Sequence, residues 1–265
     1  MSDILERLYA AKARTLEEEQ RREPLSEVVE RGLRRRGERR SLSAALLAAR
    51  GPAIVAEIKR ASPSVGLIAR NFDPAQIAAG YERAGADAIS VLTEADHFLG
   101  DLAYLDIARA NSLRPILRKD FLSTPYQIAQ SSAYGADAVL LIVAGLTDEQ
   151  LRELSQEAAR FALETVVEIH DEDELQRALP IAPQVVGINN RDLRTFQTDL
   201  GVTRHLLPSI PPGTLVISES GVQQASDIAN LYARGARGFL VGESLMRSED
   251  PAALIEELKR PVVVH

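Results

Sequence analysis

Cysteine and tryptophan are absent from the 265 residues. Without cysteine the chain forms no disulfide, no thiolate metal site and no cysteine nucleophile. Without tryptophan it contributes no indole fluorescence of its own. Also missing is any run of about 18 apolar residues, the length that a membrane-spanning helix needs. Met1 to Gln20 is dense in charge and lacks the apolar core of a secretory signal, so a cytoplasmic protein that does not engage membranes is expected. The net charge of −7 has the wrong sign for general nucleic-acid binding, which requires cations against phosphates. Neither G-x-G-x-x-G nor G-x-x-x-x-G-K-[ST] occurs, which removes the usual nucleotide fingerprints of a doubly wound open sheet. His97, His170, His205 and His265 lack paired ligand spacing. Each is expected to be surface or structural, and neither a metal nor a cofactor is expected.

What is present divides at about residue 50. Residues 1–50 read as a charged helical extension: Leu5, Leu8, Tyr9 and Leu16 share a helical face, Pro24 interrupts it, and Leu25, Val28 and Val29 begin a second helix. Arg31, Arg34, Arg35, Arg36, Arg39 and Arg40 form a basic cluster interspersed with Glu30 and Glu38. A solvated helix and loop is expected there rather than a polyanion contact. Residues 51–265 alternate short apolar strands with amphipathic helices, in a single domain overall. These 215 residues allow about 27 for each of eight βα units, as in an α/β (β/α)8 barrel. Strands are expected at 53–59, 88–92, 115–119, 138–143, 165–169, 184–189, 214–219 and 238–242. Ala84-Gly85-Ala86-Asp87-Ala88 recurs as Tyr134-Gly135-Ala136-Asp137-Ala138 and, loosely, as Arg234-Gly235-Ala236-Arg237-Gly238, each glycine suiting a left-handed helix cap before a strand. Asp73, Thr124, Thr147 and Asp250 are expected helix caps, with proline next at three of them.

Five of the apolar runs end in polar or charged residues, which a buried strand end tolerates only where partners or solvent compensate. Glu57 and Lys59 lie two apart on the first strand and face the same side. A structural ion pair is the plain alternative to chemistry. Lys119 ends the third strand and Glu168 the fifth, so two acids and two amines are expected in one partly desolvated cavity suited to proton transfer. Asp120 is expected either near substrate or paired with a loop cation. Asn189 can donate and accept, and the Arg191 fork suits a carboxylate or phosphate unless Asp192 or Asp199 occupies it. Glu219-Ser220-Gly221 and Gly242-Glu243-Ser244 follow the seventh and eighth strands, where barrels often hold phosphate through backbone N–H groups. Phe98, after the second strand, either covers an aromatic ligand or anchors its loop.

Several stretches closely resemble indole-3-glycerol phosphate synthase. They are Ala56-Glu57-Ile58-Lys59-Arg60-Ala61-Ser62-Pro63-Ser64, Leu92-Thr93-Glu94, Leu117-Arg118-Lys119-Asp120-Phe121, Val167-Glu168-Ile169-His170, Gly187-Ile188-Asn189-Asn190-Arg191-Asp192-Leu193, Ser218-Glu219-Ser220-Gly221 and Leu240-Val241-Gly242-Glu243-Ser244-Leu245-Met246. The resemblance implies a (β/α)8 TIM barrel with an N-terminal helical extension. It also implies decarboxylating, dehydrating ring closure of 1-(2-carboxyphenylamino)-1-deoxyribulose 5-phosphate in tryptophan biosynthesis. By this likeness Lys119 is the general acid, Glu168 and Lys59 assist later proton transfers, Glu57 polarises the anilinic nitrogen and Asn189 orients the reacting groups. Arg191 and Ser62 hold the anionic substrate, Glu219 and Ser220 line the pocket, and Gly221 and Gly242 bind phosphate. Glu243 stands beside that last glycine where some relatives have serine, so its side chain is expected to turn away and leave its backbone N–H as donor. The partner implied is an anionic sugar phosphate; a monomer is favoured, and association with other enzymes of the pathway stays open. The alternatives are a sugar-phosphate isomerase, a Schiff-base aldolase or a noncatalytic barrel that binds such ligands.

Overall fold

Strict alternation along eight short strands sorts their side chains into two layers. The strands are β1 (Ala53–Ile58), β2 (Ala88–Leu92), β3 (Ile116–Lys119), β4 (Ala138–Ile142), β5 (Glu164–Ile169), β6 (Val185–Asn189), β7 (Leu215–Glu219) and β8 (Gly238–Val241). In the computed structural model, which describes residues 4–192, 195 and 197–260, they close into a parallel barrel in which β1 pairs with both β2 and β8. Leu193 and His265 lie outside the described residues. Each strand falls within one residue of its expected bounds.

Ile54, Ala56, Ile89, Val139, Val167, Val186 and Phe239 pack outward against the helices. Val55, Ala88, Leu117, Leu140, Val166, Val185, Ile217 and Leu240 fill the interior. A period of two continues this inward set to Glu57, Lys119, Glu168, Asn189, Glu219 and Gly242 at the C-terminal ends of the strands. The apolar pattern that builds the core therefore also aims the polar groups.

The connecting helices start where their caps direct. Asp73 accepts from the backbone N–H groups of Ala75 and Gln76 before α4 (Pro74–Arg83), and Thr147 forms a reciprocal cap with Gln150 before α7 (Asp148–Arg160). Thr124 forms the same cap with Gln127 before α6 (Pro125–Ala133), and Asp250 accepts from Ala253 before α12 (Pro251–Lys259). Gly85, Gly135 and Gly235 all have positive φ, as the repeated helix-to-strand turn requires.

The extension is built into the barrel rather than appended to it. Leu5 and Leu8 of α1 (Ile4–Arg22) and Leu42 and Leu46 of α3 (Leu42–Ala48) belong to the interior apolar cluster, closing it from opposite ends. Between them, α2 (Leu25–Arg34) packs along α6. The expectation of a solvated basic cluster is corrected here. Arg39 donates to the carbonyl of Ala136 at 2.6 Å, and Arg40 donates to the carbonyls of Ser112 at 2.6 Å and Arg114 at 3.1 Å. Arg35 pairs with Asp106 and Arg31 with Glu23. These carbonyls precede β3 and β4 and lack ladder partners at the barrel's lower rim, so guanidinium forks satisfy them. Only part of the cluster, such as the exposed Arg34–Glu30 pair, matches the solvated reading. Among the described residues no helix is long and apolar enough to cross a membrane.

Candidate active site

The inward polar residues surround a cavity of about 440 Å³ at the C-terminal mouth, the end where barrels of this kind carry their chemistry. At its centre the Lys119 ammonium donates to Glu168 Oε2 at 3.1 Å and to Glu219 Oε2 at 2.9 Å. Burial acts to depress Lys119, but Glu168, Glu219 and Glu57 outweigh it and hold the amine charged above its ordinary range. Burial also acts to raise Glu168, yet Lys119, His170 and the Asn189 amide together keep its carboxyl below the usual carboxylate range. Glu219 goes the other way. Burial, reinforced by the Glu168 and Glu57 carboxylates, pushes it up to about 7 against the pull of Lys119. Near neutral pH the three groups thus hold a charged amine, an ionised carboxylate and a carboxyl able to carry a proton.

Glu57 and Lys59 form the second pair, 2.6 Å apart. Two glycines make room for these carboxyls. A Cβ on Gly187 would collide with Glu219 Oε1, and one on Gly242 would collide with Glu57 Oε2 and lie 3.1 Å from Lys59 Nζ. Gly242→Ala is therefore expected to displace the Glu57–Lys59 pair and lower kcat/KM by up to about 10²-fold, the scale of small misplacements in a positioned site. Unchanged steady-state kinetics in a folded variant would refute this.

The two adjacent asparagines separate by parity. Asn189 faces inward and donates to Glu168 Oε1 at 3.2 Å. Asn190 faces outward and donates to the carbonyls of Glu219 at 2.9 Å and Ser220 at 3.0 Å, while Thr203 donates to its Oδ1. Asn190 thus fixes the turn at Ser220 and Gly221, both at positive φ, and Asn189 serves the cavity. Arg191 donates to Ser64 Oγ at 3.0 Å, and its Nε is buried without a partner. Ser62 is buried in a short hairpin and lines the cavity 3.3 Å from Ser64 Oγ.

The Phe98 N–H donates to Glu94 at 3.0 Å, which anchors its loop, and its ring lines the cavity 6.2 Å from that of Phe121. Glu243 accepts from Arg247 Nε at 3.0 Å, and both residues line the cavity. Among the described residues Asp120 has no loop cation as partner. It pairs instead with Arg118 of its own strand at 2.8 Å and with Lys12 of α1 at 3.1 Å.

Four contributors escaped the sequence reading. Ile4 and Leu8 of α1 roof the cavity, although the extension carried no expected site residue. Gly187 was read as part of a motif, not as space for a carboxyl. His170, expected at the surface or as scaffold, lies with Nε2 3.6 Å from Glu168 Oε1. The signal was there: two residues beyond Glu168, it shares that residue's inward parity.

Residues 5–258 match the family described as indole-3-glycerol phosphate synthase. A curated relative of that name from Acidithiobacillus ferrooxidans is 44% identical over 260 residues, spanning 97% of this chain and 99% of the relative. A solved structure described as KGPDC from Streptococcus mutans superposes with a TM-score of 0.60 at 15% identity. It covers 79% of this chain and 96% of that one, a likeness of fold alone.

Proposed function

The chain belongs to the indole-3-glycerol phosphate synthase family, and from that premise we propose how its side chains divide a decarboxylating ring closure. The substrate is phosphorylated and carries a carboxylate on an aniline ring. A ring carbon must attack the ketone, carbon dioxide must leave to restore aromaticity, and a hydroxyl must depart as water.

Lys119, held charged, is the acid at the ketone oxygen, where a proton offsets the alkoxide that forms as carbon attacks. Glu168, ionised beside it, suits removal of the methylene proton in the dehydration. Lys59 assists the proton transfers and lies nearest the substrate's anionic groups. Glu57 polarises the anilinic nitrogen, and Asn189 fixes the direction of Glu168. Arg191 and Ser62 hold the carboxylate end, with Phe98, Glu219 and Ser220 as walls. Backbone N–H groups at Gly221 and Gly242 take the phosphate, with Glu243 paired to Arg247. Every group named comes from one chain, so a monomer suffices in this reading, and we place the reaction in the cytoplasm.

The observation that carries this reading is the Lys119 amine between Glu168 and Glu219 at the inner rim. The same observation disfavours a Schiff-base aldolase, whose lysine must attack as a neutral amine. Incubation with 1-(2-carboxyphenylamino)-1-deoxyribulose 5-phosphate is expected to produce indole fluorescence on a background free of tryptophan. Folded protein at saturating substrate that yields no such signal would overturn the assignment.

A further inference from the structure

The reaction is not proton-neutral. Two protons go onto the ketone oxygen as it becomes water and one comes off the methylene carbon, while the carboxylate departs as neutral carbon dioxide. One proton per turnover must therefore enter from solvent. While substrate fills the mouth above Lys119 and Glu168, that route is covered.

A second cavity, of about 470 Å³, lies behind Glu168 and reaches the surface between the β5–α8 and β6–α9 segments, where α8 is Glu172–Ala178 and α9 is Gly201–Leu206. His170 and Glu174 line it, as do Asn189 and Arg191, which also line the first cavity. His170 stands between the two spaces. Glu174 Oε2 holds its Nδ1 at 3.1 Å and accepts from its backbone N–H at 2.8 Å, fixing the ring. Its Nε2 is buried, has no hydrogen-bond partner and faces Glu168 Oε1 at 3.6 Å. That gap exceeds a hydrogen bond and closes with a small ring movement, as catalytic contacts do when substrate binds.

We propose that His170 resupplies this proton, passing it from Nε2 to Glu168 Oε1 and recovering it from water in the second cavity. The transfer converts imidazolium and carboxylate into neutral imidazole and carboxylic acid, with the remaining ring proton on Nδ1 against Glu174. Glu168 then shares the gained proton with Lys119, to which it is hydrogen-bonded. His170 acts through Glu168 and touches no substrate, so it is a positioning and supply residue.

Its surroundings favour the charged ring. Burial works against the imidazolium, but Glu174, Glu168 and Glu219 outweigh it and raise its pKa above the ordinary value. The other charged groups lining the cavity among the described residues are Asp171, Arg191, Asp192 and Asp199.

This inference rests on the proposed ring closure, and its test separates the two. In wild type, kcat is expected to fall on an alkaline limb as His170 loses its proton. His170→Gln should lower kcat by about 10-fold or more, leave KM little changed and abolish that limb. Imidazole added to His170→Ala should restore turnover. Glu219 also titrates near neutrality, so Glu174→Gln serves as the second variant: it removes only the carboxylate that holds the ring, and the limb should move to lower pH.

A His170→Gln profile that superimposes on wild type overturns the relay. So does a loss that keeps the wild-type pH shape and is not rescued in His170→Ala. If His170→Gln does not fold, an unmoved limb in Glu174→Gln is decisive against it. A wild-type enzyme that forms no indole product would refute the functional reading itself, and the relay with it.

Discussion

Alanine in place of Lys119 is expected to reduce kcat by at least about 10²-fold, the scale of general acid catalysis, and to change how the residual rate depends on pH. Two effects combine. The acid at the ketone is lost, and so is the charge that lies 3.1 Å from Glu168 and 2.9 Å from Glu219. In wild type Lys119 is the leading influence keeping Glu168 ionised against its burial. With the lysine gone burial prevails, and the Glu168 pKa rises above its ordinary value. Its ionised form then appears only at higher pH, so the residual rate of Lys119→Ala should climb with pH. Lys119→Arg separates the effects. A guanidinium restores positive charge beside Glu168 but is not deprotonated in the working range, so it does not act as the acid. That variant should remain slow while losing the added pH dependence. Rates from product fluorescence across a pH series decide the matter, and near-wild-type turnover in Lys119→Ala would show that the acid lies elsewhere.

The part of this site legible in the sequence is the part governed by local rules. Alternation along a strand is local, so the inward aim of Glu57, Lys59, Lys119, Glu168, Asn189 and Glu219 followed from parity once the strands were placed. Helix starts were equally local, because a capping oxygen and a glutamine three residues on act within one turn. What stayed hidden depends on contacts far apart in the chain. Arg39 reaches Ala136 across 97 residues, and Lys12 reaches Asp120 across more than a hundred. No periodicity in residues 1–50 states which surface will offer unpaired carbonyls or a buried carboxylate. The extension could therefore be read as helical without being read as the roof and floor of the barrel. His170 is the intermediate case: its parity was visible, but its value depends on Glu174, one helical turn on, and on a cavity that only the assembled barrel creates.

Asp120 gives the largest expected effect on stability, because it joins the roof to the barrel. Its carboxylate accepts from Thr93 Oγ1 at 2.6 Å and from Arg118 at 2.8 Å, and lies 3.1 Å from Lys12 of α1. Arg118 is itself fully buried, with further bonds to Gln130 and Ser131. Burial acts to raise Asp120, but Lys12, Arg118 and these hydrogen bonds hold it well below the usual carboxylate range. Asp120→Asn removes the anion and leaves two buried cations facing a neutral amide. Breaking a buried pair in this way costs about 3–5 kcal/mol, to be read as a lower denaturant midpoint at neutral pH. The acid side supplies the control. Because the folded pKa is depressed, the stabilisation is complete above the unfolded value of about 3.9 and is lost as pH falls below that value and through the folded one. Wild type and Asp120→Asn should therefore converge in acid, whereas a midpoint gap that persists unchanged there would mean that charge is not its source. Lys12→Met then isolates the roof. It spares the Arg118–Asp120 pair but releases α1, whose Ile4 and Leu8 cover the cavity, so KM should rise more than kcat falls. An unaltered KM in that variant would mean that the helix is held in place by its apolar contacts alone.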